Sequence, residues 1–404
     1  MKALNFALLI GGYALGQGAI FLAQTWLISR GNVGLVADFG MAFYVATLAL
    51  LFVDFGSITY LARETAAIEG DEDRIKAIPR LYCTATVIRV IAALAVAIAG
   101  ALVCMQIRPT PFLKSYLEYA SPALFLWAFN GTGILDGLKR SGINGAANAA
   151  PFLISGMALF FVADAAPGTS GSVMGGSLCV GYLLAAAAQL VAIKQSGAPM
   201  TWAAPTRKEL AQSAAMGFSA LLTSLPGQLY FRFQLFASNH FIGKNGTGLL
   251  IYAKQVIIGF AQIIGFLRRI EFPDLVARLG RRPTRVLLEV AKSQKVGTAI
   301  AVASTIAMAI GGSAASLIWT DHLGVAGKAI SLFSPVVVTS AVLLSLTQAI
   351  TAQGQYRLAA NMMIASTALA MLLTWGFSSL SPQLASFAAA DIVANLVTIG
   401  VAAI

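Results

Sequence analysis

Charge is what this sequence has least of. Only 11% of its 404 residues are Asp, Glu, Lys or Arg, 58% are apolar, and the mean hydropathy is +0.79. Soluble domains carry about 25% charge and about 45–50% apolar residues, so a water-soluble fold of this length could not cover its own surface. That excludes a cytosolic enzyme, a disordered chain and a secreted disulfide scaffold. Two histidines, His240 and His322, are too few for a zinc site. Three cysteines, Cys83, Cys104 and Cys179, stand singly in apolar surroundings without CxxC spacing, the pattern of packed core residues. No Walker A loop is present, since Gly324-Val325-Ala326-Gly327-Lys328-Ala329 lacks both the spacing and the following Ser/Thr. HExxH and GxSxG are also absent. Asp38-Phe39-Gly40 and Asp54-Phe55-Gly56 spell DFG twice without any kinase context. A membrane glycan polymerase or acyltransferase needs a sizeable extramembrane loop or a His/Asp/Glu constellation, and neither is there. These absences point away from an enzyme, from bound ATP and from a cofactor.

What is there is membrane-spanning helix. Residues 3–29, 165–193, 296–320, 329–356 and 358–390 contain no charged residue. Each run reaches the roughly 20 residues a spanning helix needs, and continuous apolarity rules out barrel strands. The pattern predicts an all-α polytopic protein of about twelve helices: 4–29, 35–62, 81–104, 116–138, 144–165, 173–194, 210–238, 246–272, 293–318, 327–353, 357–378 and 383–404. Met1-Lys2 before an apolar stretch imitates a secretory signal, but the many later spans make an uncleaved first helix the better reading. The polar, Pro-containing stretch 195–209 reads as a linker between two six-helix lobes, 1–194 and 210–404.

Basic residues set the orientation. With Lys2 cytoplasmic, that side collects Arg63, Arg74, Lys76, Arg80, Lys139, Arg140, Lys194, Arg268, Arg269 and the cluster 278–295, among others, while Arg30, Arg108, Lys114, Lys244 and Lys328 fall on the outer side. Both termini are therefore expected in the cytoplasm. Most of the net charge of +11 is topology signal and implies no nucleic-acid partner. A shift of 214 residues lays Arg30-Gly31-Asn32-Val33-Gly34-Leu35 over Lys244-Asn245-Gly246-Thr247-Gly248-Leu249, each the turn after the first helix of its half. Parallel repeats of this kind imply a cleft between two bundles.

Five charges inside the predicted helices stand out: Asp54, Arg89, Arg232, Lys254 and Asp391. Each would cost about 2.5–3.5 kcal/mol at a lipid-facing helix centre, so they must face the interior. Asp54 and Arg89 fall at similar depth on adjacent antiparallel helices. They form either a structural ion pair or a titratable coupling group with its modulator. Arg232 and Lys254 fall at one depth, about 7 Å toward the outer face. Two cations there repel unless a carboxylate or ligand anion intervenes, and Asp391 is the best internal candidate. The alternatives are a neutral triad or a hydrated cationic cavity for anionic cargo. Pro226 and Gly227 kink the helix before Arg232, and Gly12 and Gly16 loosen the first helix at the matching place. Both pairs read as gate hinges or as close helix packing. Asn130, Gln228 and Asn395 read as interhelical glue.

The segment from Arg30 to Gly34, then Leu51-Phe52-Val53-Asp54-Phe55-Gly56 and the exit Ala62-Arg63-Glu64, resembles the N-terminal pattern of polysaccharide transporters. The stretch through Gly248, Tyr252 and Lys254 resembles the corresponding turn of their second half. These are the Wzx-type lipid-linked oligosaccharide flippases of the multidrug/oligosaccharidyl-lipid/polysaccharide (MOP) exporter superfamily. The resemblance implies two lobes around a central MATE-like cavity, alternating access, and residence in a bacterial inner membrane. It implies a polyprenyl-pyrophosphate-linked oligosaccharide as cargo, membrane lipids as surroundings, and glycan polymerase or export machinery as partners. In that picture Arg232, Lys254 and Arg89 hold the anionic head group. Arg63 meets arriving cargo at the cytoplasmic mouth, although snorkelling explains it equally well. Asp54 or Asp391 couples the movement to protons or sodium. The rival readings are a MATE-type exporter of drugs or metabolites, which calls for a cavity rich in carboxylates and aromatics, and a non-enzymatic scaffold of a glycan assembly complex.

Overall fold

Every regular element in the structure, a computed structural model that describes residues 2–68, 77–197, 201–281, 286–353 and 355–402, is a helix. The basic residues Arg74, Lys76, Arg282 and Arg285 and residues 198–200 of the stretch 195–209 lie outside the described residues. Among the described residues ten helices are long and apolar enough to cross a membrane, including Ala7–Ser29, Val33–Asp54, Ile78–Gln106, Pro167–Lys194 and Leu384–Ala402. The protein is thus a multi-pass helical membrane protein. Of the twelve expected spans, the remaining two correspond to the 35-residue helix Arg207–Phe241 and to the stretch 116–138.

That second stretch is not one helix. It is three short ones, Pro111–Ala120, Pro122–Ala128 and Thr132–Gly137. The expected helix 35–62 is likewise broken, into Val33–Asp54 and Ser57–Ile68. At that break Phe55 and Gly56 both adopt positive φ, 53° and 72°. Glycine reaches this region without penalty, and here it is also required sterically. A Cβ on Gly56 would lie 2.1 Å from the Gly217 carbonyl oxygen and 2.7 Å from the Leu221 nitrogen. Gly56→Ala is expected to destabilise the protein by at least about 1–3 kcal/mol, read as a lowered melting temperature in detergent. Gly176→Ala is the control: no atom lies within 4 Å of its Cβ position, so its melting temperature should not fall.

The chain divides into two units. One comprises residues Met1–Trp26 and Asp38–Leu225, the other Leu27–Ala37 and Pro226–Ile404. Pro226 stands inside Arg207–Phe241, where the division falls. In the first unit, helix Lys2–Ser29 approaches the Ser141–Asn148 and Ala150–Phe161 segments closely. A Cβ on Gly12 would meet the Gly145 carbonyl at 2.5 Å, and one on Gly16 would meet Phe152 Cβ at 3.1 Å. No atom lies within 4 Å of the Cβ position of Gly227. In the second unit, the two turns aligned by the 214-residue shift pack on each other. The Cβ position of Gly34 lies 3.4 Å from Lys244 Cε, and that of Gly248 lies 2.6 Å from the Val33 carbonyl.

Thr206 and Glu209 form a capping box for helix Arg207–Phe241. The Thr206 N–H donates to Glu209 Oε2 at 2.7 Å and the Glu209 N–H to Thr206 Oγ1 at 3.3 Å. The Thr206 backbone and hydroxyl, helped by Arg80 at 2.7 Å, hold this carboxyl below the usual range.

Candidate functional site

The first unit holds a centre built on Arg89, which is completely buried on helix Ile78–Ile107. Its Nη2 pairs with Asp54 Oδ1 at 3.0 Å, its Nε donates to Ser57 Oγ at 2.6 Å, and its Nη1 donates to the Asn130 carbonyl at 2.8 Å. Asp54 also accepts from Ser57 Oγ at 2.9 Å and from the Ile58 N–H at 3.4 Å, so it caps the helix after the break. The guanidinium therefore joins two helix breaks, at 55–56 and at 129–131. A helix break inside a bilayer exposes backbone groups that no water can satisfy. Here those at the second break are satisfied one by one. The Phe129 carbonyl accepts from Tyr82 Oη at 2.7 Å, the Asn130 carbonyl takes Arg89, and the Gly131 N–H donates to Gln189 Oε1 at 2.8 Å. Gln189 Nε2 then reaches Asn144 Oδ1 at 3.0 Å and Asn148 Oδ1 at 2.9 Å. Gln189, Asn144 and Asn148 carry no charge, and nothing in their spacing singles them out in sequence. Of the two sequence readings of Asp54 and Arg89, the geometry is that of an ion pair. Arg63 is exposed on helix Ser57–Ile68.

The second unit holds a centre built on Asp391, buried on helix Leu384–Ala402. Lys254 Nζ, from helix Gly243–Arg281, pairs with Asp391 Oδ2. Asp391 Oδ1 accepts from Tyr230 Oη at 2.6 Å and from Gln234 Nε2 at 2.8 Å. Tyr230 Oη lies 3.2 Å from Thr374 Oγ1 on helix Tyr356–Leu380. The Phe333 ring, at the end of helix His322–Phe333, covers Lys254 with its centroid 5.4 Å from Nζ. Five helices thus converge on one carboxylate.

Arg232 is not the second cation of this centre. Tyr230 and Gln234, an i,i+4 pair, face Asp391, and 100° per residue puts Arg232 on the opposite side of the same helix. Depth along the axis is legible in sequence, but azimuth depends on which neighbours the helix meets. Arg232 is part-exposed, and its Nη1 donates to the backbone carbonyl of Gln228 at 3.1 Å and to the Gln228 side chain. Gln228, Arg232, Phe236, Asn239 and His240 share an arc of about 120° and about 18 Å of helix, and each is exposed or part-exposed. His240 stacks parallel to Trp375 (centroids 5.8 Å apart, 10° between planes) and to Phe236 (6.5 Å, 8°). The sequence offers Arg232 from this strip but not its aromatic end, because Trp375 comes from a distant helix.

Arg268, assigned by sequence to the cytoplasmic flank, is fully buried, with Nη1 donating to the Gln294 carbonyl at 2.6 Å and to Glu271 at 3.1 Å and Nη2 to Thr298 Oγ1 at 2.8 Å. Glu271 at i+3 was the available signal.

No family model and no curated protein matches the sequence. Solved structures do match the fold. A multidrug resistance MATE family transporter of the MOP superfamily in an inward-facing conformation superposes with a TM-score of 0.75 at 14% identity, over 100% of this chain and 97% of that one. The lipid II flippase MurJ in an inward closed conformation gives 0.75 at 12% identity, over 99% and 86%. A MATE transporter in an outward-facing conformation gives 0.61 at 15% identity, over 99% and 92%. The fold is MATE-like.

Proposed function

We propose that the protein is a membrane translocase that moves a polyprenyl-pyrophosphate-linked oligosaccharide, or a related anionic glycan precursor, across the bacterial cytoplasmic membrane by alternating access. One observation carries this reading: the exposed strip of Gln228, Arg232, Phe236, Asn239 and His240, with Trp375 stacked at its end. An Arg, two amides and a His facing acyl chains would be costly, so the strip faces water. Its chemistry suits a glycolipid head group. The planar guanidinium of Arg232 takes a phosphate bidentately, and flat rings with flanking amides take sugar faces and hydroxyls. The need is physical, because unpaired sugar hydroxyls cost about 1–3 kcal/mol each on desolvation and a pyrophosphate far more.

In this reading Asp391 is the coupling carboxylate. A proton or sodium ion competes with Lys254 for it, and the exchange shifts the helices gathered there. Asp54 and Arg89 hold the broken helices of the first unit in place, and Arg63 receives cargo at the cytoplasmic mouth. The MATE-like fold also suits a multidrug exporter, but the Arg232 guanidinium repels the cationic amphiphiles such an exporter would take.

The test deletes the gene and follows lipid-linked repeats in the two leaflets. Accumulation on the cytoplasmic leaflet, reversed by the wild-type chain, is the expected result. Arg232→Ala should insert normally yet restore less than about a tenth of export, since a charge-assisted bidentate contact is lost, and Arg232→Lys should recover part of it. Full export by Arg232→Ala, or drug efflux in place of lipid accumulation, overturns the reading.

A further inference from the structure

Away from both centres, a cleft of about 560 Å³ opens between helix Lys295–Ile318 and helix His322–Phe333. Behind it the helices touch backbone to backbone: a Cβ on Gly312 would lie 2.5 Å from the Gly327 carbonyl, and one on Gly327 2.7 Å from Ala315 Cβ. In front, Ser313, Ser316 and Trp319 line one wall, and Asp321, Lys328 and Ser331 the other. The surface around the cleft is strongly apolar, with Ile310, Leu317 and Ile318 each at least 65% exposed and Val325 51% exposed. Such a surface belongs against acyl chains.

Two charges in the cleft are unmatched in an instructive order. Lys328 sits six residues inside the apolar span His322–Ala352, about 9 Å from its start. No carboxylate pairs with it among the described residues. Asp321, at the mouth, uses Oδ1 to cap the helix through the Leu323 N–H at 3.0 Å, and among the described residues no ion pair engages its carboxylate. A cation at depth and an anion at the rim are the complement of a zwitterion whose phosphate lies deeper than its ammonium. Val325 and Leu332 continue the groove on the apolar side. A primary ammonium offers three N–H donors to the carboxylate and the serine hydroxyls. A quaternary one offers none and calls for an aromatic cage, whereas this cleft has a single Trp.

We propose that this cleft is a binding site for a phospholipid with a primary-amine head group, of the phosphatidylethanolamine type. Lys328 holds the phosphate, Asp321 the ammonium, and Val325 and Leu332 an acyl chain, while Ser313 and Ser331, whose hydroxyls bond each other at 3.0 Å, keep oxygen lone pairs for the ammonium. The site is independent of the translocation reading.

Full-length protein, delipidated in detergent, is titrated with phosphatidylethanolamine, phosphatidylglycerol and phosphatidylcholine of identical acyl chains, and bound lipid is counted by native mass spectrometry. Phosphatidylethanolamine should be retained on the order of tenfold better than phosphatidylcholine, reflecting its charge-assisted hydrogen bonds. Lys328→Gln should lose that retention for both phosphatidylethanolamine and phosphatidylglycerol. Asp321→Asn, which still caps the helix, should lose only the preference for phosphatidylethanolamine over phosphatidylglycerol. Equal retention of the three lipids by the wild-type chain, or retention unchanged in Lys328→Gln, overturns the proposal.

Discussion

Replacing Lys254 by Met is expected to lower stability by about 3–5 kcal/mol, the usual consequence of removing one partner from a buried ion pair. Lys254 and Asp391 are both more than nine-tenths buried, so the carboxylate left behind would have neither counter-charge nor water. Two donors, Tyr230 Oη and Gln234 Nε2, would remain on it, too few for an ionised group in apolar surroundings. The companion result separates charge from shape. In Lys254→Met/Asp391→Asn the amide oxygen still accepts from Tyr230 and Gln234, no charge is buried, and most of the lost stability should return. Thermal melting of the purified protein measures both. A single variant as stable as wild type, or a double variant no better than the single, would show that the pair does not hold these helices together.

Arg89→Met should be equally damaging, again about 3–5 kcal/mol, but the rescue should fail. Arg89 contacts three separate groups, and only one of them is a carboxylate. Arg89→Met/Asp54→Asn removes the stranded charge yet leaves the Asn130 carbonyl unsatisfied at a helix break, where a lost partner costs about 1–3 kcal/mol. Arg89→Lys restores the charge from a single nitrogen, which cannot span the fork of three acceptors, so it should fall between wild type and Arg89→Met. Hydrogen exchange adds a local readout: amides around 129–132 should lose protection in all three variants. Unchanged protection there would mean that Arg89 serves Asp54 alone.

The contrast between the two centres shows what was legible beforehand. Asp54, Arg89, Lys254 and Asp391 stand out in sequence because a charge within an apolar run needs a partner, and depth arithmetic put Asp54 beside Arg89. The same arithmetic placed Arg232 with Lys254. It failed on azimuth, since two residues along a helix turn a side chain through 200°, and only the packing partners fix which side is interior. The break at 129–131 was hidden for a related reason. A polar interruption in an apolar run is compatible with continuous helix until a buried Gln189, Tyr82 and Arg89 are in place to satisfy the freed backbone groups. The burial of Arg268 was hidden because a basic residue at the end of an apolar run carries the signature of a flanking charge whether it snorkels outward or is buried.

Composition alone settled that this chain is a bundle of membrane-crossing helices, because a bilayer admits no other way to pair the backbone of so many uncharged runs. It also set how many charges had to find company inside. Which charges met, which helices broke to let them, and which face of Arg207–Phe241 turned inward were decided by tertiary structure. Those outcomes depend on side chains brought together from residues more than a hundred positions apart, as with Lys254 and Asp391, and no local pattern encodes such a meeting.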